Sequence, residues 1–285
     1  MKKTVMFSIF TFVLILSILA ISLVIAGKPN FTNADVVPSN SHASVVIPEN
    51  AVEVAPGVFD LGSAVDVNGE VVQGYAFIHY KDKKGNAKPP WAGGGGDSTG
   101  TTCYGFLASG ARWKLTEPYY INPTNIQGLS ESFIVSSTLA GDNEWDNQVS
   151  FNIFGNSYVN YSASYNNGAL DGLNTLSFGN IAESGVIGVT NIWGIFGGNP
   201  RNRKLVEWDM LLDENDFAWG DASLDISKMD VQNIITHEIG HSAGMNDLYS
   251  TSCLQETMYG YSTEGEIKKR DLNSGDITGI RKLYI

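Results

Sequence analysis

The rhythm of hydrophobic positions changes several times along this chain. Lys2 and Lys3 precede an uncharged, mostly apolar run from Thr4 to Ala26, the layout of an export signal with a positive n-region. Val24 and Ala26 are small enough for signal-peptidase cleavage before Gly27. The run also reaches the roughly 20 residues that span a bilayer, so residues 1–26 are expected to be a signal peptide or an N-terminal anchor. Either places the remainder outside the cytoplasm, secreted or held on the outer face of the membrane, and any membrane contact is through this segment alone. Residues 28–50 are rich in Asn, Ser and Pro and carry neither period, which predicts a stalk or the start of a pro-segment. Between Val52 and Tyr80 the pattern changes to short β-prone runs, and Asn68-Gly69 stands between AVDV and EVVQGYAFIHY as a hairpin turn. This predicts a small β element. A charged run from Lys81, then Pro89-Pro90 and Gly93 to Gly96, would suit no helix or central strand. The main boundary is therefore expected near residue 100, with 27–100 as stalk or pro-segment and 101–285 as the principal domain.

Past that boundary the elements lengthen. Residues 112–122 read as a strand, and Ser130 is placed to cap a helix carrying Phe133, Ile134, Leu139 and Trp145. Residues 148–159, 173–181, 185–196 and 204–212 follow as β-type runs, the third especially rich in β-branched and aromatic residues. The last ends in an acidic turn, Asp213 to Asp216. A second helix begins near Asp230, with Val231, Ile234 and Ile235 spaced to give it a buried face. Strands first and a decisive helix late make the class α+β.

Composition narrows the function. The 285 residues include 18 Lys and Arg against 30 Asp and Glu, a formal charge of -12. No basic stripe is present to displace counterions, which excludes a nucleic-acid surface. Asp209, Asp213, Glu214 and Asp216 offer hard oxygens that suit calcium, although a solvated acidic loop accounts for them equally without an EF-hand spacing. Cys103 and Cys253 are the only two cysteines. In an exported chain they can form a disulfide, remain inert thiols, or supply Cys103 as a thiolate that blocks a metal.

The chemistry concentrates at residues 237–247, His-Glu-Ile-Gly-His-Ser-Ala-Gly-Met-Asn-Asp. His237 and His241, four apart on a helix, project from one face and can grip one metal. Glu238 follows the first ligand, where it stays out of the coordination shell yet reaches an attacking water as a general base. Gly244 stands where the helix must stop, because glycine takes the left-handed C-cap conformation without steric cost. The chain can then return Asp247 as a third ligand, leaving an open position for water. The only other histidines, His42 and His79, precede the glycine tract, so no competing histidine is expected nearby.

The complete pattern H-E-x-x-H-x-x-G-x-x-D resembles the extended zinc signature of the metzincins, in the form with Asp last. Glu256 to Tyr261 resembles the Met-turn of that superfamily, which implies Met258 as an apolar floor beneath the zinc. Residues 271–285 are similar to the C-terminal helix of the matrixins, although Ser274-Gly275 stands before Asp276 and the usual doubled acid is missing. The strands around 185–196 and 204–219 match the matrixin edge strand and its successor in order. The resemblance covers about residues 103–285. It implies a zincin fold with a twisted mixed sheet, an active-site helix, a Met-turn and a C-terminal helix. Two departures stand out: too few histidines remain for a second, structural zinc, and no P-R-C-G-x-P-D motif marks Cys103 as a cysteine switch.

Together these readings predict a secreted zinc endopeptidase with one catalytic ion. It would cleave internal bonds of protein or peptide substrates lying extended beside residues 186–195, with Glu238 as general base and then acid. The alternative is a non-catalytic cell-surface binding protein whose zinc only braces the fold. A smaller rival takes Glu256, Glu264 or Glu266 as the third ligand.

Overall fold

The computed structural model describes residues 44–45, 51–81 and 102–285. The segment 1–26, His42 and the Gly-rich tract lie outside them. Strand β1 is Ser44–Val45, β2 is Val52–Ala55, β3 is Val58–Val65 and β4 is Val71–Lys81. Then come β5 (Glu117–Ile121), helix α1 (Glu131–Asp146), β6 (Phe154–Val159), β7 (Thr175–Ile181), β8 (Val186–Ile195) and β9 (Lys204–Asp213). Short strands β10 (Trp219–Gly220) and β11 (Met229–Asp230) pair with each other ahead of α2 (Val231–Ser242). Strand β12 (Tyr261–Ser262) and α3 (Ser274–Leu283) close the chain. Among the described residues no helix is long and apolar enough to cross a membrane.

One mixed sheet runs in the order β2-β3-β4-β8-β9-β7-β5-β6, with β1 beside β7 and β12 beside β4. Strands β5, β6, β7 and β9 are mutually parallel, whereas β2, β3, β4 and β8 add antiparallel pairs. This is the α+β arrangement the sequence predicts. Helices α1 and α2 cover one face, and Ile134, Trp145, Ile234, Ile235 and Ile239 are wholly buried there with Ile187, Ile192 and Met210 of the sheet. Leu139 remains 40% exposed. Both helices start at the predicted caps: Ser130 Oγ accepts from Phe133 N at 3.2 Å and Asp230 Oδ1 accepts from Asn233 N at 2.8 Å. Each cap satisfies an amide that the first turn would otherwise leave open.

Two expected strands are shorter than their apolar runs. Arg112 keeps only an isolated bridge to Lys204, and the side chains here serve the ends of helices: Arg112 Nη1 donates to Leu283 O and Trp113 Nε1 to Ser242 O, at 2.6 and 2.7 Å. Residues 147–153 turn around Asp146, whose carboxylate accepts from Ile153 N at 2.8 Å.

The larger correction concerns residues 52–81. They form the predicted hairpin, with Asp66 to Gly69 as its turn, but not a separate β element before a boundary at residue 100. β4 pairs antiparallel with β8 from Gln73↔Gly194 to Tyr80↔Val186 and so extends the main sheet. Strand β8, expected to be an edge, lies between β4 and β9. Eight consecutive registered partners and a shared buried face, including Phe77 at 2% exposure, bind the two together.

The α1 to sheet contact holds one ionisable pair. Tyr119 of β5 donates to the buried carboxyl of Asp142, and burial pushes that carboxyl up to about 8. Between pH about 4 and 8 the folded protein therefore holds a proton the unfolded chain has released, and stability falls as pH rises through that window. Asp142→Asn is expected to gain on the parent across the same window, by at most about 1.4 kcal/mol per pH unit. Paired denaturation curves from pH 5 to 8 that stay parallel would rule this out.

Candidate active site

Helix α2 presents His237, Glu238 and His241, all at 1% exposure or less. Each imidazole is fixed from behind by a backbone carbonyl: His237 Nδ1 lies 2.7 Å from Thr257 O and His241 Nδ1 lies 3.1 Å from Met245 O. A carbonyl can only accept, so Nδ1 carries the proton and Nε2 is left with its lone pair forward. Burial lowers the proton affinity of both rings, that of His237 to about 3.

After α2 the chain reverses. Gly244 has φ +102°, and a Cβ there would lie 2.9 Å from Ala111 O, so both conformation and space require glycine. Gly244 N donates to His241 O and Met245 N to Gly240 O, at 2.8 and 2.9 Å, which closes the helix end. Asp247 then arrives with Oδ1 at 3.3 Å from His237 Nε2 and 3.5 Å from His241 Nε2. Burial pushes its carboxyl up, but His241 and His237 outweigh that and hold it below the usual range. Two neutral imidazoles and one carboxylate thus converge. His237 Nε2 and Asp247 Oδ1 are buried and lack hydrogen-bond partners, a cost that a bound cation would remove.

The spacing fits zinc. Ligands at about 2.05 Å in a tetrahedron stand about 3.3 Å apart, close to the 3.3 and 3.5 Å found here. The rival third ligands are elsewhere: Glu256 Oε2 accepts from Gly275 N and Asp276 N, Glu264 pairs with Lys81, and Glu266 with Lys268.

A matrixin sequence model matches residues 127–285, which hold α1, α2, the reversal at Gly244 and α3. The chain belongs to the matrixin family. Matrixins are zinc-dependent endopeptidases, and the α+β zincin fold is theirs. No individually curated protein matches the chain.

The matrixin Met-turn is tied into this site from three sides. Met258 is wholly buried against α2, where a Cβ on Gly240 would stand 2.2 Å from its sulfur and 2.7 Å from the Trp145 ring. Asp276 of α3 accepts from Thr257 N at 2.6 Å and from Met258 N at 3.2 Å. Thr257 O in turn orients His237, so the single acid left in the terminal helix reaches His237 through one peptide group. Cys103 and Cys253 are joined in a disulfide, which removes Cys103 as a metal-blocking thiolate.

Several residues at the site were not singled out from sequence. Glu238 Oε2 accepts from Thr190 Oγ1 of β8 at 2.6 Å, and burial pushes the Glu238 carboxyl up to about 8. Tyr249 Oη lies 3.1 Å from both Asp247 Oδ2 and Pro56 O. Lys269, fully buried, donates to Tyr259 O and lies 3.5 Å from His237 Nδ1. Most unexpected is His79 of β4, whose Nδ1 stands 3.1 Å from Glu238 Oε1. A competing histidine is therefore present after all, carried in by a strand pairing rather than by sequence proximity. Alternation along β4 puts Tyr75, Phe77 and His79 on one face, a signal that was available once the strand was assigned to the sheet.

The calcium candidates behave differently. Asp213 accepts from Ile181 N, Asn215 N and Asp216 N, Glu214 Oε2 from Ile126 N, and Asp216 from Gly185 N. These carboxylates close turns around β7, β8 and β9. Of the four candidates, Asp209 is the one that converges with other acids among the described residues, and its partners are Asp171 and Glu207.

Tyr249→Phe removes the hydroxyl from Asp247 and is expected to weaken zinc affinity about 10- to 100-fold, read by competition with a chromophoric chelator. Unchanged affinity would show that Asp247 does not depend on this contact. Gly240→Ala is expected to lower stability by about 1–3 kcal/mol, measured by chemical denaturation, and a neutral result would contradict the packing of Met258 against α2.

Proposed function

We propose that the chain is an exported zinc endopeptidase in which His237, His241 and Asp247 hold the catalytic ion and Glu238 is the general base and acid. The observation that carries this reading is the convergence of two Nε2 lone pairs and one unpartnered carboxylate oxygen beside a buried glutamate. Bound there, zinc supplies a Lewis acid that polarises the scissile carbonyl and acidifies a water.

The protein's own groups do the rest. Thr190 holds Glu238 by Oε2, which leaves Oε1 to take a proton from the attacking water. The raised affinity of Glu238 for that proton suits its return to the leaving amide nitrogen. The carbonyls of Thr257 and Met245 keep both imidazoles from rotating as charge develops. β8 is flanked by β4 and β9, so an extended substrate would pair along β8 and bring its peptide bond across Glu238 only once β4 has vacated that side. Export is supported by the uncharged run Thr4–Ala26 after Lys2 and Lys3 and by the disulfide, which persists in oxidising compartments.

Glu238→Gln is expected to keep one zinc per chain while peptide cleavage falls about 100- to 10,000-fold. Asp247→Ala should lose the metal itself. Both are read by metal analysis and a quenched peptide assay, on the intact chain and after limited proteolysis. Full cleavage by Glu238→Gln would overturn the assignment of the base, and retained zinc in Asp247→Ala that of the third ligand.

A further inference from the structure

The slot in which an extended substrate would pair with β8 is filled by this chain's own β4. It lies antiparallel to β8 on one side and parallel to β12 on the other, through Tyr80↔Tyr261 and Lys81↔Ser262. β12 begins three residues after Met258, so β4 passes between the sheet and the Met-turn region. Two of its site-facing residues pack on the two histidines of α2. The Phe77 ring stacks on His241 with centroids 4.5 Å apart, and the His79 ring stands edge to face against His237 at 4.0 Å.

His79 is unusual for a core histidine. It is 2% exposed, and neither ring nitrogen has a hydrogen-bond partner, because the 3.1 Å approach to Glu238 Oε1 lacks hydrogen-bond alignment. A buried imidazole is normally satisfied by at least one bond. Instead a nitrogen of His79 groups with donor atoms of His237 and Glu238 within 4.8 Å. A register shift in the β4–β8 ladder between His79 and Tyr80 interrupts the pairing at this residue, and Gly188 stands opposite it without a side chain. An imidazole with a free lone pair is thus held against Oε1 of Glu238, the oxygen that would have to reach the attacking water.

We propose that β4 is an intramolecular occupant of the substrate slot and that His79 is its metal-directed latch. The intact chain is then latent, and activation separates residues up to 81 from the domain that begins near Thr102. This rests on the zinc peptidase reading above. The latch is a histidine on a strand already built into the sheet, so it needs neither a free cysteine nor a separate inhibitory domain. The tether makes a weak nitrogen donor effective, since an intramolecular ligand acts at a high local concentration that vanishes once the chain is cut.

The test uses the full chain with a specific-protease site placed in the Gly93–Gly96 tract, as parent, His79→Ala and His79→Gln. His79→Gln fills the same space if the alanine variant folds poorly. Each is loaded with cobalt in place of zinc, and the visible absorption is recorded before and after cutting and removal of the N-terminal piece. Peptide hydrolysis is measured in parallel on the zinc forms. The uncut parent should show a cobalt spectrum that changes in both His79 variants and on removal of the N-terminal piece. Hydrolysis should rise on the order of 100-fold on removal, and a synthetic peptide of residues 71–81 added back should inhibit, far less so with His79 replaced. Identical cobalt spectra in parent and variants, with an uncut chain as active as the cut one, would overturn the latch and leave the peptidase reading standing. Spectra that change in the His79 variants and on removal, with no hydrolysis in any form, would support the latch as a metal-site occupant and overturn the peptidase reading instead.

Discussion

Two imidazoles four residues apart can share a metal only if each ring turns an unprotonated nitrogen toward it. Here that constraint is met by two peptide carbonyls, Thr257 O behind His237 and Met245 O behind His241. Neither carbonyl belongs to α2. Met245 is available because Gly244 reverses the chain in a left-handed conformation against Ala111, and the same reversal delivers Asp247. Thr257 is available because Asp276 and Glu256 pin the Met-turn to the start of α3. The disulfide from Cys103 to Cys253 ties the N-terminal end of the domain to the approach to that turn. Much of the C-terminal third can thus be understood as a frame for two hydrogen bonds, and the polarity of the metal site follows from them.

The sequence made the local parts of this frame legible and left the long-range parts hidden. Caps at Ser130 and Asp230, the face shared by His237 and His241, and the turn at Gly244 all depend on residues within one or two helical turns of each other. Their chemistry is written at fixed offsets. The candidate ligands are accordingly predicted together, and the structure brings donor atoms of His237, His241 and Asp247 within 4.8 Å of one another, with Glu238 beside His237 on α2. What could not be seen was which strand partners which. The β-prone run at residues 71–80 announces a strand, but it carries no address, and β4 meets β8 more than a hundred residues later. Assigning those residues to a separate element followed from the Pro- and Gly-rich stretch after them, which interrupts the chain without interrupting the sheet. The same blindness hid Thr190, Tyr249 and His79. The acidic turn at Asp213 to Asp216 misled in the opposite way, because carboxylates that look like cation ligands in sequence are turned inward to receive backbone amides.

The position of His79 also bears on the contrast between catalytic and structural zinc. A structural site closes its fourth position with protein, and a catalytic one keeps it open. On the proposed reading this chain has both elements: three ligands with a general base beside them, and His79 of a separate strand set against His237 and Glu238. The two descriptions are reconciled if the fourth occupant is removable. Strand β4 is joined to the family domain through residues 82–101, whereas the matrixin match begins only at residue 127. The occupant is therefore outside the part of the chain that defines the family.

The account stands on one metal position. Anomalous diffraction at the zinc edge from crystals of the zinc-loaded protein should show a single peak coordinated by His237 Nε2, His241 Nε2 and an oxygen of Asp247, with Glu238 outside the first shell. A peak centred at the Asp171, Glu207 and Asp209 cluster alone, or a zinc coordinated directly by Glu238 in place of Asp247, would contradict it.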